Sequence, residues 1–377
     1  MNPATNMKVK RTFLAILLTT VITGCGQIGL HVSKETNNKS EISIRRNTKA
    51  WSMGVGGDTL LCRRVERDTL KSNDFTYAFG DMPPLMKKLD LFFCNLECQI
   101  ADVGGKMDKG EEKPYHFRAK PEMVRALAES GVDIVTIANN HGMDYGPEAL
   151  MQTIELCRKN GVEIVGGGRN VTEAAAPGFV EAAGLRIGFV GFQSTNTMMN
   201  AGPDTPGVNA LRYQESEHFL AAVRAALIKA RKESDLVVFT VHWGPNYRLE
   251  PTDKQRRIAR QILDMGYDVF IAHSAHQFLG VEIHNGKPII HDAGNFVVDF
   301  YPVEPYWNDR NLMFVLHFKG TKVQYIEAIP IYRTGTATNF ATGDIAGNIC
   351  DRFSSMCEAL DTEVKKTEDN RILISVR

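Results

Sequence analysis

The sequence has no excess of charge of either sign, no hydrophobic run long enough to cross a bilayer, no internal repeat and no low-complexity block. Its 44 Lys and Arg residues are balanced by 44 Asp and Glu. No global field therefore draws the protein to nucleic acid, although balance does not exclude a local charged pocket. The most apolar stretch, "TFLAILLTTVITG" from Thr12 to Gly24, falls short of the ~20 apolar residues that a spanning helix needs. Cysteine is scarce, with seven in 377 residues, and none has the spacing of a zinc ribbon. What is abundant is apolar material, 43% of the chain, enough for a large core in a chain of a length that α/β folds often keep as one domain.

The apolar stretch has the length of a signal-peptide core, and Lys8, Lys10 and Arg11 supply the positive region before it. It ends in "ITGC", Ile22 to Cys25, which resembles the lipobox of bacterial lipoproteins. That resemblance implies a signal peptide over residues 1–24, cleavage before Cys25 and its acylation by palmitate-type chains. Several acyl chains tether a protein stably, at about 0.8 kcal/mol per buried methylene, so the expected location is the cell envelope, membrane-anchored and facing outside the cytoplasm. Residues 25–48 are polar and without periodicity, a tether to a folded domain over 49–377. The six remaining cysteines permit disulfides whose pairing the sequence does not give, while Cys62, Cys94 and Cys157 sit in apolar segments and equally suit free core thiols.

From Trp51 onward, apolar runs such as "LDLFFCN", "VDIVTIAN", "LRIGFVGF", "DLVVFTVHWG" and "YDVFIAH" alternate with helical patterns at 121–130, 147–160, 216–233 and 252–265. The continuous Val, Ile and Phe content suits strands buried on both faces. Gly146, Pro147 and Gly161 bracket one helix, with Leu150, Ile154 and Cys157 on its packing face. Alternation of this kind predicts a layered α/β fold. The tail predicts a hairpin turning at "KGTK", a helix near 344–360 and a last strand "RILISV".

The polar residues fall where these runs end. Asp58 closes "VGGD", and Asn95 and Glu97 close "LFFCNLE". Asn139, Asn140 and His141 close "VTIANNH", and His242 closes "VVFTVH". His273 and His276 close "VFIAHSAH", and His291, Asp292 and Asn295 close "PIIHDAGN". Ligand sites of open α/β sheets form outside the carboxyl ends of the strands, so these groups can converge on one cleft. Asp, Glu, Asn and His are the oxygen and nitrogen ligands that suit Zn, Mn or Fe, a metal pair can clamp a phosphoester, and a neighbouring histidine can protonate the leaving oxygen.

"GDTLL" at Gly57, "NLEC" at Asn95, "YHFRAKPEMVRAL" at Tyr115, "ANNHGMDYG" at Ala138, "VHWGPNY" at Val241, "AHSAHQFLGVE" at Ala272 and "DAGNFVVD" at Asp292 together resemble the CapA family, the poly-γ-glutamate capsule biosynthesis proteins. The resemblance runs from about Met53 to the end and implies a layered, calcineurin-like metallophosphatase-type fold with central β-sheets flanked by helices. It implies Asp58, Glu97, Asn140, His242, His273 and His276 as metal ligands, with Asp58, His141 and His276 at the chemistry and Arg118, Asn139 and Asn295 at the substrate. Two positions depart from the metallophosphoesterase pattern: Leu60 stands where a ligand histidine is expected, and Ser274 replaces another. One divalent metal (Mn, Zn or Fe), or none, is therefore as well supported as two. Asp144 orients His141 or caps the helix at Pro147, with the cap preferred.

These features support two classes of function. One is an exported lipoprotein acting with polymer-synthase membrane subunits on an anionic polymer such as poly-γ-glutamate. The other is an envelope enzyme, either a metal-dependent phosphoesterase or a metal-independent acid–base catalyst on a peptide-like substrate.

Overall fold

The computed structural model describes residues 49–376 apart from residues 111, 113 and 114. The expected signal peptide, Cys25 and the tether lie outside the described residues. In chain order the strands that build the main sheets are β1 (Ala50–Thr59), β2 (Leu91–Leu96), β3 (Ile134–Thr136), β4 (Glu163–Val165), β5 (Gly178–Ala182), β6 (Leu185–Gln193), β7 (Leu236–His242) and β8 (Val269–His273). They continue with β9 (Val281–His284), β10 (Lys287–Ile290), β11 (Asn295–Val297), β12 (Arg310–Lys319), β13 (Lys322–Thr334), β14 (Ala337–Phe340), β15 (Lys365–Lys366) and β16 (Ile372–Ser375). The longer helices are α1 (Arg64–Ser72), α2 (Val124–Ser130), α3 (Gly146–Lys159), α4 (Ser216–Arg231), α5 (Asp253–Met265) and α6 (Gly343–Glu358).

Two sheets result. The ten-stranded one runs β15-β16-β13-β12-β1-β2-β3-β4, with β11 also on β1 and β14 on β13; the six-stranded one runs β9-β10-β8-β7-β6-β5. Side-chain alternation along β2 shows how they stack: Phe93 joins Val55, Phe189, Val238 and Ile271 in a core between the sheets, whereas Phe92 faces the opposite way with Leu127, Leu150 and Ile154 of α2 and α3. On the far side of the second sheet, Val237 and Phe239 meet Phe219 and Val223 of α4 and Ile258 and Ile262 of α5. The layers are therefore helix, sheet, sheet, helix, the layered α/β architecture expected from the sequence. Ile349, Cys350 and Phe353 of α6 belong to the inter-sheet core, and the six described cysteines are all buried and free.

The segment "KPIIHDAGN" does not form one strand. β10 pairs in parallel with β8 in the second sheet, and β11 pairs in parallel with β1 in the first, so residues 291–294 carry the chain from one sheet to the other. Gly57 makes this crossing possible: a Cβ there would lie 1.9 Å from the Gly294 oxygen, and with no Cβ the Asp58 N–H donates to that oxygen at 2.8 Å.

Candidate functional site

The crossing brings strand ends from both sheets together. Register places Asp58 beside Asn95 on β2 and beside Asn295 on β11, while His242 on β7 pairs with His273 on β8. Ligand atoms of Asp58, Glu97 and His276 lie within 4.8 Å of one another. His242 Nε2 is 3.9 Å from Glu97 Oε1, and His273 Nδ1 is 3.8 Å from Asp58 Oδ1. His276 reaches in from a distorted strand end, where Ser274 has φ 119° and His276 φ 57°. Its Nδ1 lies 3.1 Å from Asp58 Oδ2 and 3.1 Å from Asn295 Oδ1. Asp292 holds that turn in place, accepting the Ala275 N–H and the Gly294 N–H, each at 2.8 Å.

Burial makes the electrostatics severe. Burial alone would raise the Asp58 carboxyl, but the hydrogen bond and charge of His276, helped by His242 and His273, hold it down to about 2. Burial opposes the His276 cation, yet Glu97, Asp58 and Asn295 lift it to about 10. Asp58 and His276 thus form an ion pair. Glu97 is pushed well up by burial and by Asp58, and burial pushes His242 down to about 3 and His273 down to about 4.

Donor atoms in this cluster are orphaned. Both Glu97 carboxylate oxygens and both His273 ring nitrogens are buried without a hydrogen-bond partner, and so is Asn140 Oδ1, next to His141 in the chain. Each unmet buried group costs about 1–3 kcal/mol, so unmet ligand-type atoms on Glu97 and His273, 3.9 and 3.8 Å from other cluster residues, need another explanation. They are the hard oxygen and imidazole donors that a divalent Mn, Zn or Fe ion takes. The residues present fit such an ion.

Beside the cluster stands a second group. His141 Nδ1 contacts Asp144 Oδ2 at 2.6 Å; an ionised carboxylate only accepts, so the proton sits on Nδ1 and Nε2 is left free. The other Asp144 oxygen accepts from Lys109 Nζ at 2.9 Å, and the Phe117 N–H donates to Oδ2 at 2.6 Å. The helix-cap role preferred for Asp144 from sequence is corrected here: α3 starts after Tyr145 with no side-chain cap, and Asp144 orients His141 instead. Burial lowers the His141 pKa against the pull of Asp144.

Three side chains expected at the substrate are committed elsewhere. Asn139 Nδ2 donates to Asn95 Oδ1 and Leu96 O, and its Oδ1 accepts the His141 N–H. Asn295 Nδ2 donates to His276 O and Asn308 O. Arg118 donates to Val103 O and Gly104 O and lies over Tyr145. The polar groups of Asn139 and Asn295 are thus taken up by internal bonds, and the Nη1 of Arg118 is tied to the 103–104 backbone. His291, a strand-end residue by sequence, faces Glu282 at 3.1 Å, away from the cluster. No sequence signal pointed to Lys109, which comes from a polar loop, or to the bridging role of Asn95, whose Nδ2 donates to Asp58 Oδ1 at 2.8 Å.

The fold and site thus define a two-sheet α/β protein with a buried strand-end cluster of Asp, Glu and His that could hold a metal ion. Comparison with known proteins narrows this class. Residues 52–300 match the family model described as bacterial capsule synthesis protein PGA_cap, and the chain belongs to that family. It is 30% identical over 246 residues to the PGA biosynthesis protein CapA of Bacillus subtilis, covering 64% of this chain and 62% of that one. Over 266 residues it is 26% identical to the capsule biosynthesis protein CapA of Bacillus anthracis, covering 71% of this chain and 64% of that one. The matches thus span less than two thirds of either relative. Among solved structures, the NAD nucleotidase of Haemophilus influenzae is similar at a TM-score of 0.45 and 12% identity, over 82% of this chain and 63% of that one.

Proposed function

We propose that this protein acts in the synthesis or export of a poly-γ-glutamate-type anionic polymer in the cell envelope, through a metal-assisted site. The observation that carries this reading is the orphaned donor set in a chain of the PGA_cap family. Asp58, Glu97, Asn140, His242, His273 and His276 would hold the ion, which would polarise a phosphoryl or acyl oxygen of the substrate. Asp144 fixes the tautomer of His141 so that Nε2 moves a proton to or from the reacting group. Phe117, 4.2 Å between ring centroids from His141, keeps water from that imidazole. In this reading Cys25 is the acylated anchor, and the membrane subunits of a polymer synthase are the partners.

Metal analysis of the purified protein, with phosphoester and γ-glutamyl hydrolysis assays with added Mn or Zn, tests the chemistry. Bound metal and activity lost in His242→Ala are expected. Loss of surface polymer in cells carrying only His141→Ala tests the role, and unchanged polymer after removal of the whole protein would sink it. Absent metal with polymer still lost in His141→Ala would favour acid–base chemistry by the Asp144–His141 pair alone.

A further inference from the structure

Arg63 holds a backbone conformation made for glycine, with φ 61° and ψ −123°. A side chain there strains the chain, and glycine would remove that strain. The guanidinium gives a reason for its presence. It lies 5.4 Å from the Phe117 ring centroid and 5.9 Å from that of Phe300. Phe117 is the ring against His141, at 4.2 Å, and Phe300 is the ring against His276, at 5.0 Å. The cation therefore stands over the two aromatic walls of the two site histidines.

Its charge is only partly balanced inside the protein. Asp299 is fully buried and serves two arginines. Arg64 takes Oδ2 through its backbone N–H and Nε, and also donates to the Asp299 carbonyl. Arg63 Nη2 lies 3.2 Å from the remaining oxygen, Oδ1, which accepts no hydrogen bond. Two guanidiniums against one carboxylate leave one positive charge over, shared by Arg63 and Arg64, whose side chains are 38% and 34% exposed. Nearby, Tyr115, which packs on Phe117, is 69% exposed, and Tyr301, which lies under Arg64, is 75% exposed.

We propose that Arg63 is the substrate-recognition residue of the site, receiving a carboxylate or phosphate oxyanion of the substrate at the mouth between His141 and His276. This rests on the reading of the substrate as anionic. A planar guanidinium stacked on rings is pre-oriented and weakly hydrated, so its fork of donors meets an oxyanion with little ordering cost. The strained backbone sets the direction of that fork.

The test compares wild type, Arg63→Gly and Arg63→Lys by calorimetric titration with a γ-glutamyl oligomer and, separately, with inorganic phosphate, alongside melting curves. Arg63→Gly is expected to melt at or above wild type while losing tenfold or more in affinity. Arg63→Lys should keep part of the affinity and melt no higher than wild type. Arg63→Gly binding as wild type does, or melting well below it, would overturn the proposal; so would a wild type that binds neither probe. Phosphate bound through Arg63, with the oligomer ignored, would uphold the oxyanion site and overturn the polyglutamate reading.

Discussion

Asp144 is the residue whose role the sequence left most open, and magnitude can decide it. As a helix cap it would contribute about 1 kcal/mol, with no dependence on any distant residue. As the counter-charge of buried Lys109 and the partner of His141, its removal leaves a buried cation unpaired, which costs about 3–5 kcal/mol. Asp144→Asn should therefore lower stability by about 3 kcal/mol or more in urea unfolding. The Asp144→Asn, Lys109→Met double variant should recover much of that loss, a coupling that a cap would not show. The motif "ANNHGMDYG" displays His141 and Asp144 together, so their pairing was within reach of the sequence. Lys109 was not, because 35 residues separate it from Asp144 and nothing in a polar loop announces a buried amine. Arg63 escaped for a related reason: a positive φ at a non-glycine residue leaves no trace in composition.

At the scale of elements, helices and strands differ in how far they could be read. The helical patterns at 216–233 and 252–265 form helices over Ser216–Arg231 and Asp253–Met265, and Thr252 with Gln255 forms the capping box that starts the second. The split of "KPIIHDAGN" between two sheets could not be read, because apolar runs do not state which sheet they join. That split depends on Gly57. Gly57→Ala meets backbone, not a movable side chain, at 1.9 Å. It should cost at least about 3 kcal/mol in a denaturant titration, whereas Gly105→Ala, with nothing within 4 Å of the added Cβ, should stay within about 0.5 kcal/mol. A second element contact carries a pH signature. Glu282 on β9 accepts from Arg256 and Arg260 of α5 and faces His291. Burial would raise its carboxyl, but His291 and Arg260 hold it down to about 2. A depressed carboxyl contributes stability that is full above its ordinary value near 4.5 and is lost as pH falls through the folded value. Glu282→Gln should thus be less stable than wild type by about 1–3 kcal/mol at pH 6, and the gap should narrow as urea midpoints are measured from pH 4.5 down toward 2.

Across the whole molecule, two sheets hold the unmet ligand atoms of Glu97 and His273 in place before any ion arrives, and the fold bears their desolvation. Convergence of strand ends was legible in the sequence from Asp58, Glu97, His242 and His276, which the structure brings within 4.8 Å of one another in turn. The sequence could not say that Asn139 and Asn295 would be consumed by internal bonds, since that depends on which backbone carbonyls pass within reach. The arrangement makes metal binding and stability one quantity. An ion at 100 times its dissociation constant adds about 2.7 kcal/mol to the folded state, which for a domain of this size is a rise in Tm of roughly 4 °C. Glu97→Gln separates the two contributions. Without metal it replaces a buried, unpartnered carboxyl by a neutral amide, so in chelator it should melt at or above wild type. With Mn, Zn or Fe added, wild type should gain its full shift and the variant little, so the order of the two melting curves reverses. Equal melting of wild type in chelator and in each ion would remove the metal from the site. An undiminished shift in Glu97→Gln would remove Glu97 from the ligands while leaving the ion.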